Sequence, residues 1–241
     1  MRYQFKDFIP NKNQREAIMH PLAPLMILAS AGTGKTATII HRIVHMVTNK
    51  NIDPSSILTI TYTEKAAQEL KDRIKMLIDI DNNSINVTTF HGLCLKIVRE
   101  FGQKKNDYAL IKNDELAYKI LEKFDDLGPF KSREFKKNPL QAITQSFLPF
   151  FNRLHDELLT LDRLPKRQLI YDEQEMNYQL EDLIRFYPTI QDMKKSANRL
   201  DYGDMILSAH QLLSSNDNIL SKVQNKYQHL IIDEFQDNNH S

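Results

Sequence analysis

The chain has little cysteine, almost no net charge and no long hydrophobic run. Its 241 residues include one cysteine, Cys94, so no disulfide can form within the chain. No apolar segment is long enough to cross a bilayer and no secretory leader is visible, so we expect a cytoplasmic protein with no membrane partner. Lys and Arg number 32 against 31 Asp and Glu, so any contact with nucleic acid has to be local.

Strand and helix patterns alternate through the first hundred residues, which is typical of parallel β-α units. The predicted pairs of strand and helix are Pro24–Ala29 with Gly34–Lys50, Ile57–Tyr62 with Glu64–Ile78, and Ile85–Phe90 with His91–Phe101. Helical spacing alone follows Gly102, with predicted breaks at several prolines that include Pro188. We therefore predict an α/β core over residues 1–101 and 199–241, with an all-helical insertion over residues 102–198.

A glycine-containing loop joins the first predicted strand to its helix. The segment Ala29–Thr36 reads Ala-Ser-Ala-Gly-Thr-Gly-Lys-Thr. Its glycines allow a tight turn that aims backbone N–H groups at phosphate oxygens, and the following helix N-terminus adds partial positive charge. Lysine in this position reaches the β and γ phosphates, while the next hydroxyl binds Mg²⁺. We expect the nucleotide phosphates to contact Ala31, Gly32, Thr33, Gly34, Lys35 and Thr36.

An apolar strand near the end of the chain becomes acidic at its carboxyl end. It spans Leu230–Asp237, and open α/β sheets place ligand chemistry at such strand ends. Asp233 is predicted to hold Mg²⁺ together with Thr36, and Glu234 is predicted to orient or deprotonate the attacking water. The two segments together predict a nucleoside triphosphate site in which Lys35 and Asp233 are neighbours.

The order of these segments resembles the amino-terminal half of UvrD/Rep/PcrA-type superfamily 1A DNA helicases over nearly the whole chain. The loop matches the family's first motif, which also begins with alanine. The glutamine motif resembles residues 11–18, which implies that Gln14 recognises adenine. The resemblance also implies a position near the base for Arg42, and a role for Gln236 of the Asp-Glu-x-Gln-Asp segment in sensing the γ phosphate. It implies a RecA-like P-loop NTPase fold that uses ATP and Mg²⁺.

Two further strand-to-helix junctions resemble the family's DNA-contacting motifs. Tyr62 offers a face for base stacking, and its threonine neighbours offer hydroxyl donors to phosphate. Glu64 stands where the family commonly has asparagine. The DNA-binding residues implied by the resemblance are Thr61, Tyr62, Thr63, Thr89, Phe90 and His91. The segment Leu200–Ile206 is similar to another family motif, and we favour a capping pair as the role of its carboxylates, Asp201 and Asp204.

The resemblance implies an ATP-dependent 3′ to 5′ translocase or helicase that acts on single-stranded DNA and on single-strand/duplex junctions in repair or replication. It ends at Asp237, so we expect a truncated, monomeric chain that lacks the second core domain and its arginine fingers. We therefore expect no unwinding and little or no ATP hydrolysis from the chain alone. The alternatives are the helicase subunit of an AddA/RecB-like helicase-nuclease and a non-catalytic nucleic-acid-binding module.

Overall fold

A computed structural model describes residues 8–30, 32–78, 84–102, 108–159, 161 and 174–235. These residues form two compact units, each with its own hydrophobic core. The first unit comprises the described residues up to Leu93 and those from Asp217 onward, and the second runs from Cys94 to Asn216. These unit boundaries, after Leu93 and after Asn216, differ from the predicted domain boundaries after residues 101 and 198. The predicted domain division stays a prediction.

The first unit is a parallel α/β arrangement. Its described helices are α1 (Lys12–Met19), α2 (Lys35–Lys50), α3 (Glu64–Leu77) and α12 (Asp217–Lys226). Its described strands are β1 (Ile57–Thr61), β2 (Asn86–Thr89) and β5 (His229–Ile232). They pair in parallel in the order β2–β1–β5. The parallel α/β class predicted from the alternating pattern is confirmed.

Helical spacing of apolar residues holds this unit together. All five residues of β1 are buried because the strand lies between two others. On α3, the buried residues Ala67, Leu70 and Ile74 recur at intervals of three and four and so share one face. One face of α2 contributes five apolar side chains to the same core: Ile39, Ile40, Ile43, Val44 and Met46. This packing fixes the start of α2 near the carboxyl ends of β1 and β5.

The second unit is mainly helical. Its elements in chain order are the part of α4 (Phe90–Phe101, which begins directly after β2) from Cys94 onward, β3 (Ala109–Leu110), α5 (Asn113–Glu122), α6 (Phe124–Leu127), α7 (Arg133–Lys137), α8 (Pro139–Ala142), a π-helical turn (Ile143–Phe147), α9 (Leu148–Asp156), α10 (Gln174–Ser196), β4 (Arg199–Leu200) and α11 (Tyr202–Ser215). Its core is rich in phenylalanine, with Phe147 fully buried among its aromatic neighbours. No helix among the described residues is long and apolar enough to span a membrane.

The prediction of a buried strand over Leu25–Leu28 is wrong. This segment forms no strand; Leu25, Met26 and Leu28 are exposed, up to 88% for Leu28, and Ile27 is half-buried. A strand requires a hydrogen-bonded neighbour, and no strand among the described residues pairs with it. The apolar residues of this segment predicted a strand, but the residues of one segment do not show whether a neighbouring strand is present to pair with it.

Two predictions for the helical insertion also need correction. The insertion is not entirely helical, because β3 pairs in parallel with β4; strands of two residues are too short to show an alternating pattern. Pro188 does not end or interrupt a helix but lies inside α10. A proline within a helix costs about 3 kcal/mol, and Leu183, Phe186 and Ile190 pack into one core on both sides of it. That shared packing keeps the helix continuous.

Candidate nucleotide site

The glycine loop has the backbone conformation that the sequence predicts for it. Gly32 and Gly34 have φ angles of 76° and 87°, in the left-handed region that favours glycine. The Thr33 hydroxyl donates to the Ser30 carbonyl at 2.7 Å, which closes the turn. Gly34 is the N-cap of α2 and makes no side-chain cap, so the first N–H groups of the helix remain available to an anion. Ala31 lies outside the described residues.

Lys35 lies against two carboxylates that are remote in sequence. Its Nζ is 2.5 Å from Glu234 Oε1 and 3.6 Å from Asp233 Oδ1. Burial lowers the pKa of Lys35, but the hydrogen bond to Glu234 and the charges of Asp233 and Glu234 raise it more, so it lies above its ordinary value. The lysine is therefore a cation at neutral pH. The predicted proximity of Lys35 and Asp233 is observed.

The two acidic residues follow β5 directly and differ in exposure. The Asp233 N–H donates to the Ile60 carbonyl at 2.8 Å, which extends the pairing of β5 with β1 by one residue. The Asp233 side chain is 9% exposed and that of Glu234 is 38% exposed. Glu234 has φ of 55°, a conformation that costs a non-glycine residue about 1–3 kcal/mol and is concentrated at functional sites. The turn thus directs two neighbouring carboxylates toward one lysine.

The charges at this site suit a metal–phosphate complex. One ammonium and two carboxylates leave a net negative charge, and hydroxyl and carboxylate oxygens are the ligands that Mg²⁺ prefers. Thr36 supplies a hydroxyl in the first turn of α2, and Asp233 supplies a partly buried carboxylate. These two side chains could hold the cation, while Lys35 and the α2 N-terminus face the phosphates. Gln236, predicted to sense the γ phosphate, lies outside the described residues.

Gln14 contacts the phosphate loop through its side-chain amide. The amide donates from Nε2 to the Thr33 carbonyl at 2.9 Å, and its Oε1 accepts from the Asn11 N–H at 2.9 Å. The second bond is part of a capping box at the start of α1. A Cβ added at Gly34 would lie 2.9 Å from Gln14 Nε2, so the helix approaches the loop closely. The structure thus places the Gln14 amide against the phosphate loop, and its recognition of adenine stays a prediction.

Arg42, predicted to lie near the nucleotide base, has its guanidinium on the backbone of the α1 end. Nη1 donates to the carbonyls of Ala17 and His20 at 2.9 and 3.1 Å, and Nη2 donates to the Pro21 carbonyl at 3.2 Å. Its neighbour His41 stacks on Phe8 with ring centroids 4.4 Å apart. The sequence carried no signal for these carbonyl contacts, because Arg42 and its acceptors are more than twenty residues apart.

The predicted DNA-contacting residues lie at the carboxyl ends of β1 and β2. Tyr62 is 68% exposed. The Thr61 hydroxyl donates to the Thr63 carbonyl at 3.1 Å, and the Thr63 hydroxyl caps α3 by accepting from the Ala66 N–H. The hydroxyls of Thr61 and Thr63 therefore shape the turn, while Tyr62 is an exposed aromatic side chain beside them.

The junction of β2 and α4 depends on a residue that the sequence analysis did not assign. The Thr89 hydroxyl donates to Glu64 Oε1 at 2.7 Å and accepts from the Gly92 N–H at 3.0 Å. Phe90 and His91 meet edge to face with centroids 6.3 Å apart. Glu64, which stands where the resembled family has asparagine, thus links the start of α3 to the start of α4. Only spatial proximity could have revealed this contact.

In the second unit, Asp201 and Asp204 form the predicted capping pair. Each carboxylate accepts from the other residue's N–H, at 2.8 and 3.0 Å, at the start of α11. The capping interpretation is confirmed. The sequence did not indicate that Lys194 Nζ also lies 2.5 Å from Asp201 and 2.6 Å from Asp204. The buried ring of His155 is close by, with its nitrogens 3.8 Å from these two carboxylates.

Comparison with known proteins agrees with the class of protein that this fold and site define, a parallel α/β domain with a phosphate loop. The family model described as UvrD/REP helicase N-terminal domain matches residues 10–241. The chain belongs to this family.

Relatives with assigned names are similar to the chain over nearly its full length. A probable DNA helicase II homolog from Rickettsia conorii is 30% identical and covers 98% of this chain, and one from Mycoplasma pneumoniae is 33% identical and covers 95%. The ATP-dependent DNA helicase PcrA of Staphylococcus aureus is 29% identical over 95% of this chain. These matches span 35%, 31% and 30% of the relatives' own lengths. The chain thus corresponds to about a third of each relative.

Proposed function

We propose that this chain is the ATP-binding, amino-terminal part of an ATP-dependent DNA helicase that moves along single-stranded DNA. The observation that carries the proposal is the position of Lys35, between the glycine loop and the carboxylates of Asp233 and Glu234. Membership of the UvrD/REP family and the names of the relatives support the DNA helicase class.

In this proposal each residue of the site has one task. Lys35 moves from its carboxylate partners to the β and γ phosphates, whose negative charge replaces theirs. Thr36 and Asp233 hold Mg²⁺, which would neutralise charge on the transferred phosphoryl group. Glu234, freed from Lys35 and more exposed than Asp233, orients the attacking water and accepts its proton. Gln14 reads the adenine edge, and Gln236 is proposed to sense the γ phosphate.

Coupling to DNA is proposed to begin at the carboxyl ends of β1 and β2. Tyr62 is exposed for base stacking, which contributes about 1–3 kcal/mol per base in single-strand binders. β1 pairs with β5, the strand that leads into Asp233. A change at the nucleotide site therefore has a direct path through paired strands to Tyr62. Translocation from 3′ to 5′, action at junctions, a repair or replication role, a cytoplasmic location and a monomeric state stay predictions.

Substitution of Glu234 in the complete protein that contains this chain tests the proposal. Glu234→Gln preserves the side-chain shape but removes the proton acceptor, so we expect ATP hydrolysis stimulated by single-stranded DNA to fall about 10²- to 10⁴-fold. Binding of Mg-ATP should persist. Glu69→Gln is the matched control, because Glu69 forms an exposed ion pair with Arg73 on α3. Unchanged hydrolysis in Glu234→Gln would show that the catalytic assignment is wrong.

A further inference from the structure

We propose that Arg42 is a positioning residue, which holds α1 against the phosphate loop so that Gln14 is correctly placed for the nucleotide base. The inference rests on the proposed function, since it assigns to Arg42 an indirect part in nucleotide recognition. It concerns a side chain whose described hydrogen bonds are with backbone carbonyls at the end of α1.

The Arg42 contacts satisfy a specific need of α1. The last carbonyls of a helix have no partner within the helix and carry partial negative charge. Arg42 donates to the carbonyl of Ala17 inside α1 and to those of His20 and Pro21 just beyond it. Burial lowers the pKa of Arg42, but an arginine stays charged at neutral pH. The guanidinium is therefore a charged cap on the carboxyl end of α1.

α1 has little capacity to hold its place unaided. It has eight residues, of which Ile18 is the buried one. Helices shorter than about 12–15 residues are marginal in water, so tertiary contacts must fix this one. Gln14 attaches its amino end to the loop through Thr33, and Arg42 attaches its carboxyl end.

Both attachments lead to the same rigid element. The phosphate loop ends at Gly34, where α2 begins, and Arg42 lies on α2 seven residues after Lys35. Seven residues correspond to about 10 Å along a helix. One end of α1 is thus attached to Thr33, two residues before α2, and the other end to Arg42 on α2. In the proposed function the distance between Lys35 and Gln14 is therefore set by α2 and the loop that leads into it. An amide with one N–H and one lone pair already engaged retains one of each for a ligand.

The inference separates recognition of the base from recognition of the phosphates. Loss of Arg42 should release the end of α1 and misplace Gln14, which removes the Gln14 bond to the Thr33 carbonyl. The bond from the Thr33 hydroxyl to Ser30 and the ion pairs of Lys35 do not involve Gln14 and should remain. We expect Arg42→Ala in the full chain to weaken Mg-ATP binding about tenfold and to reduce the preference for ATP over GTP. Binding of Mg-tripolyphosphate, which has no base, should be unchanged. Arg42→Lys should recover part of the effect, because one ammonium replaces only some of the guanidinium bonds.

A double-mutant cycle with Gln14→Ala distinguishes this mechanism from the alternatives. If Arg42 acts through Gln14, adding Arg42→Ala to Gln14→Ala causes no further loss of ATP affinity or base preference. Additive losses would mean that Arg42 contacts the base itself and would overturn the proposal. A fall in thermal stability with unchanged base preference would assign Arg42 a purely structural role and would also overturn it.

Two controls keep this inference separate from the proposed function. Arg99→Ala removes an arginine that also donates to a backbone carbonyl, that of Tyr108 in the second unit, and it should leave nucleotide binding unchanged. Lys35→Ala should weaken binding of Mg-tripolyphosphate about 10- to 100-fold, because it removes the charged phosphate contact. If it does not, the phosphate site is misassigned and the proposed function fails. If Lys35→Ala behaves as expected and the Arg42 cycle is additive, only the role of Arg42 is rejected.

Discussion

Each of the two units holds a lysine between two carboxylates, yet the two clusters are built for different tasks. In the first unit Lys35 lies 2.5 Å from Glu234 and 3.6 Å from Asp233. In the second, Lys194 lies 2.5 Å from Asp201 and 2.6 Å from Asp204. The side chain of Lys35 is 23% exposed and that of Lys194 is 2% exposed. The charges match, so the surroundings must account for the difference.

The two carboxylates of the buried cluster are satisfied by the protein itself, although His155 Nδ1 is buried without a hydrogen-bond partner among the described residues. Asp201 and Asp204 bond each other's N–H groups as well as Lys194, and His155 bonds the Tyr187 hydroxyl at 2.8 Å. The atoms of His155, Asp201 and Asp204 that could bind a metal all lie within 4.8 Å of one another, but the ammonium of Lys194 already lies between the carboxylates. The open cluster around Lys35 has solvent access, which the proposed function requires for Lys35 to exchange its carboxylate partners for phosphates.

Electrostatics in the buried cluster reflect its isolation from water. Burial and the charge of Asp201 together raise the pKa of Asp204. Burial also raises the pKa of Asp201, but the charge and hydrogen bond of Lys194 lower it more. The two carboxylates thus shift in opposite directions although they form one capping pair. A buried cluster of this kind favours one protonation pattern and resists change.

Removal of the buried lysine should have the largest effect on stability. Lys194→Met leaves two carboxylates buried without their cation, and breaking a buried ion pair costs about 3–5 kcal/mol. Chemical denaturation monitored in the second unit should show this loss in the free energy of unfolding. Lys195→Met is the control, since Lys195 is 72% exposed. A Lys194→Met protein as stable as the wild type would mean that the cluster is not structural.

The equivalent substitution in the open cluster, Lys35→Met, should have little effect on stability and a large effect on Mg-ATP binding. We expect Lys35→Met to change the free energy of unfolding by no more than about 1 kcal/mol, since partly exposed ion pairs contribute little. Binding of Mg-ATP should weaken about 10- to 100-fold, because hydrogen bonds between charged partners contribute about 1.5–3 kcal/mol. Isothermal titration calorimetry measures the second quantity. Equal Mg-ATP affinity in the two proteins would contradict the site assignment.

The pH dependence of the buried cluster should be the smallest effect. Burial lowers the pKa of His155, so near pH 6 the folded protein binds fewer protons than the unfolded chain. This contribution to stability is complete above the ordinary histidine pKa of about 6.5 and is lost as the pH falls toward the lower, folded value. Unfolding of the second unit should therefore become easier between pH 7 and pH 5.

His155→Gln isolates this contribution, because glutamine does not titrate. The difference in unfolding free energy between wild type and variant should shrink as the pH falls. His45→Gln is a useful comparison: the pKa of His45 is also lowered, first by burial and then by Lys50 and Arg42, but it lies in the first unit. A constant difference for His155→Gln across this range would show that His155 does not titrate in it.

Local sequence patterns were sufficient for most elements and for part of the site. The spacing of apolar residues predicts α2 and α3, and the glycines predict the left-handed turns of the loop. The closeness of Lys35 and Asp233 was predicted from chemistry. In a nucleoside triphosphate site the lysine contacts the phosphates and the aspartate holds the Mg²⁺ that those phosphates bind, so the two side chains must lie near each other. The capping role of Asp201 and Asp204 depends on residues three apart, which is why the sequence reveals it.

Contacts between distant residues needed the tertiary structure. No periodic pattern in the sequence indicates that Arg42 donates to the carbonyls at the end of α1. None indicates that the Thr89 hydroxyl donates to the Glu64 carboxylate. The close fit of Gly203 against His155, where an added Cβ would lie 2.2 Å from Nδ1, is equally invisible in sequence. The segment Leu25–Leu28 forms no strand because no described strand pairs with it. The helix α10 continues past Pro188 because its residues on both sides of the proline pack into one core.

The sequence by itself determined the helices α2 and α3, the strands β1, β2 and β5, and the positions of the glycine loop, its lysine and the acidic strand end, because each of these depends on residues close together in the chain. Only the tertiary structure decided which lysine between two carboxylates is open and which is sealed. Burial depends on packing between segments up to two hundred residues apart. Solvent access, rather than residue type, distinguishes the two clusters.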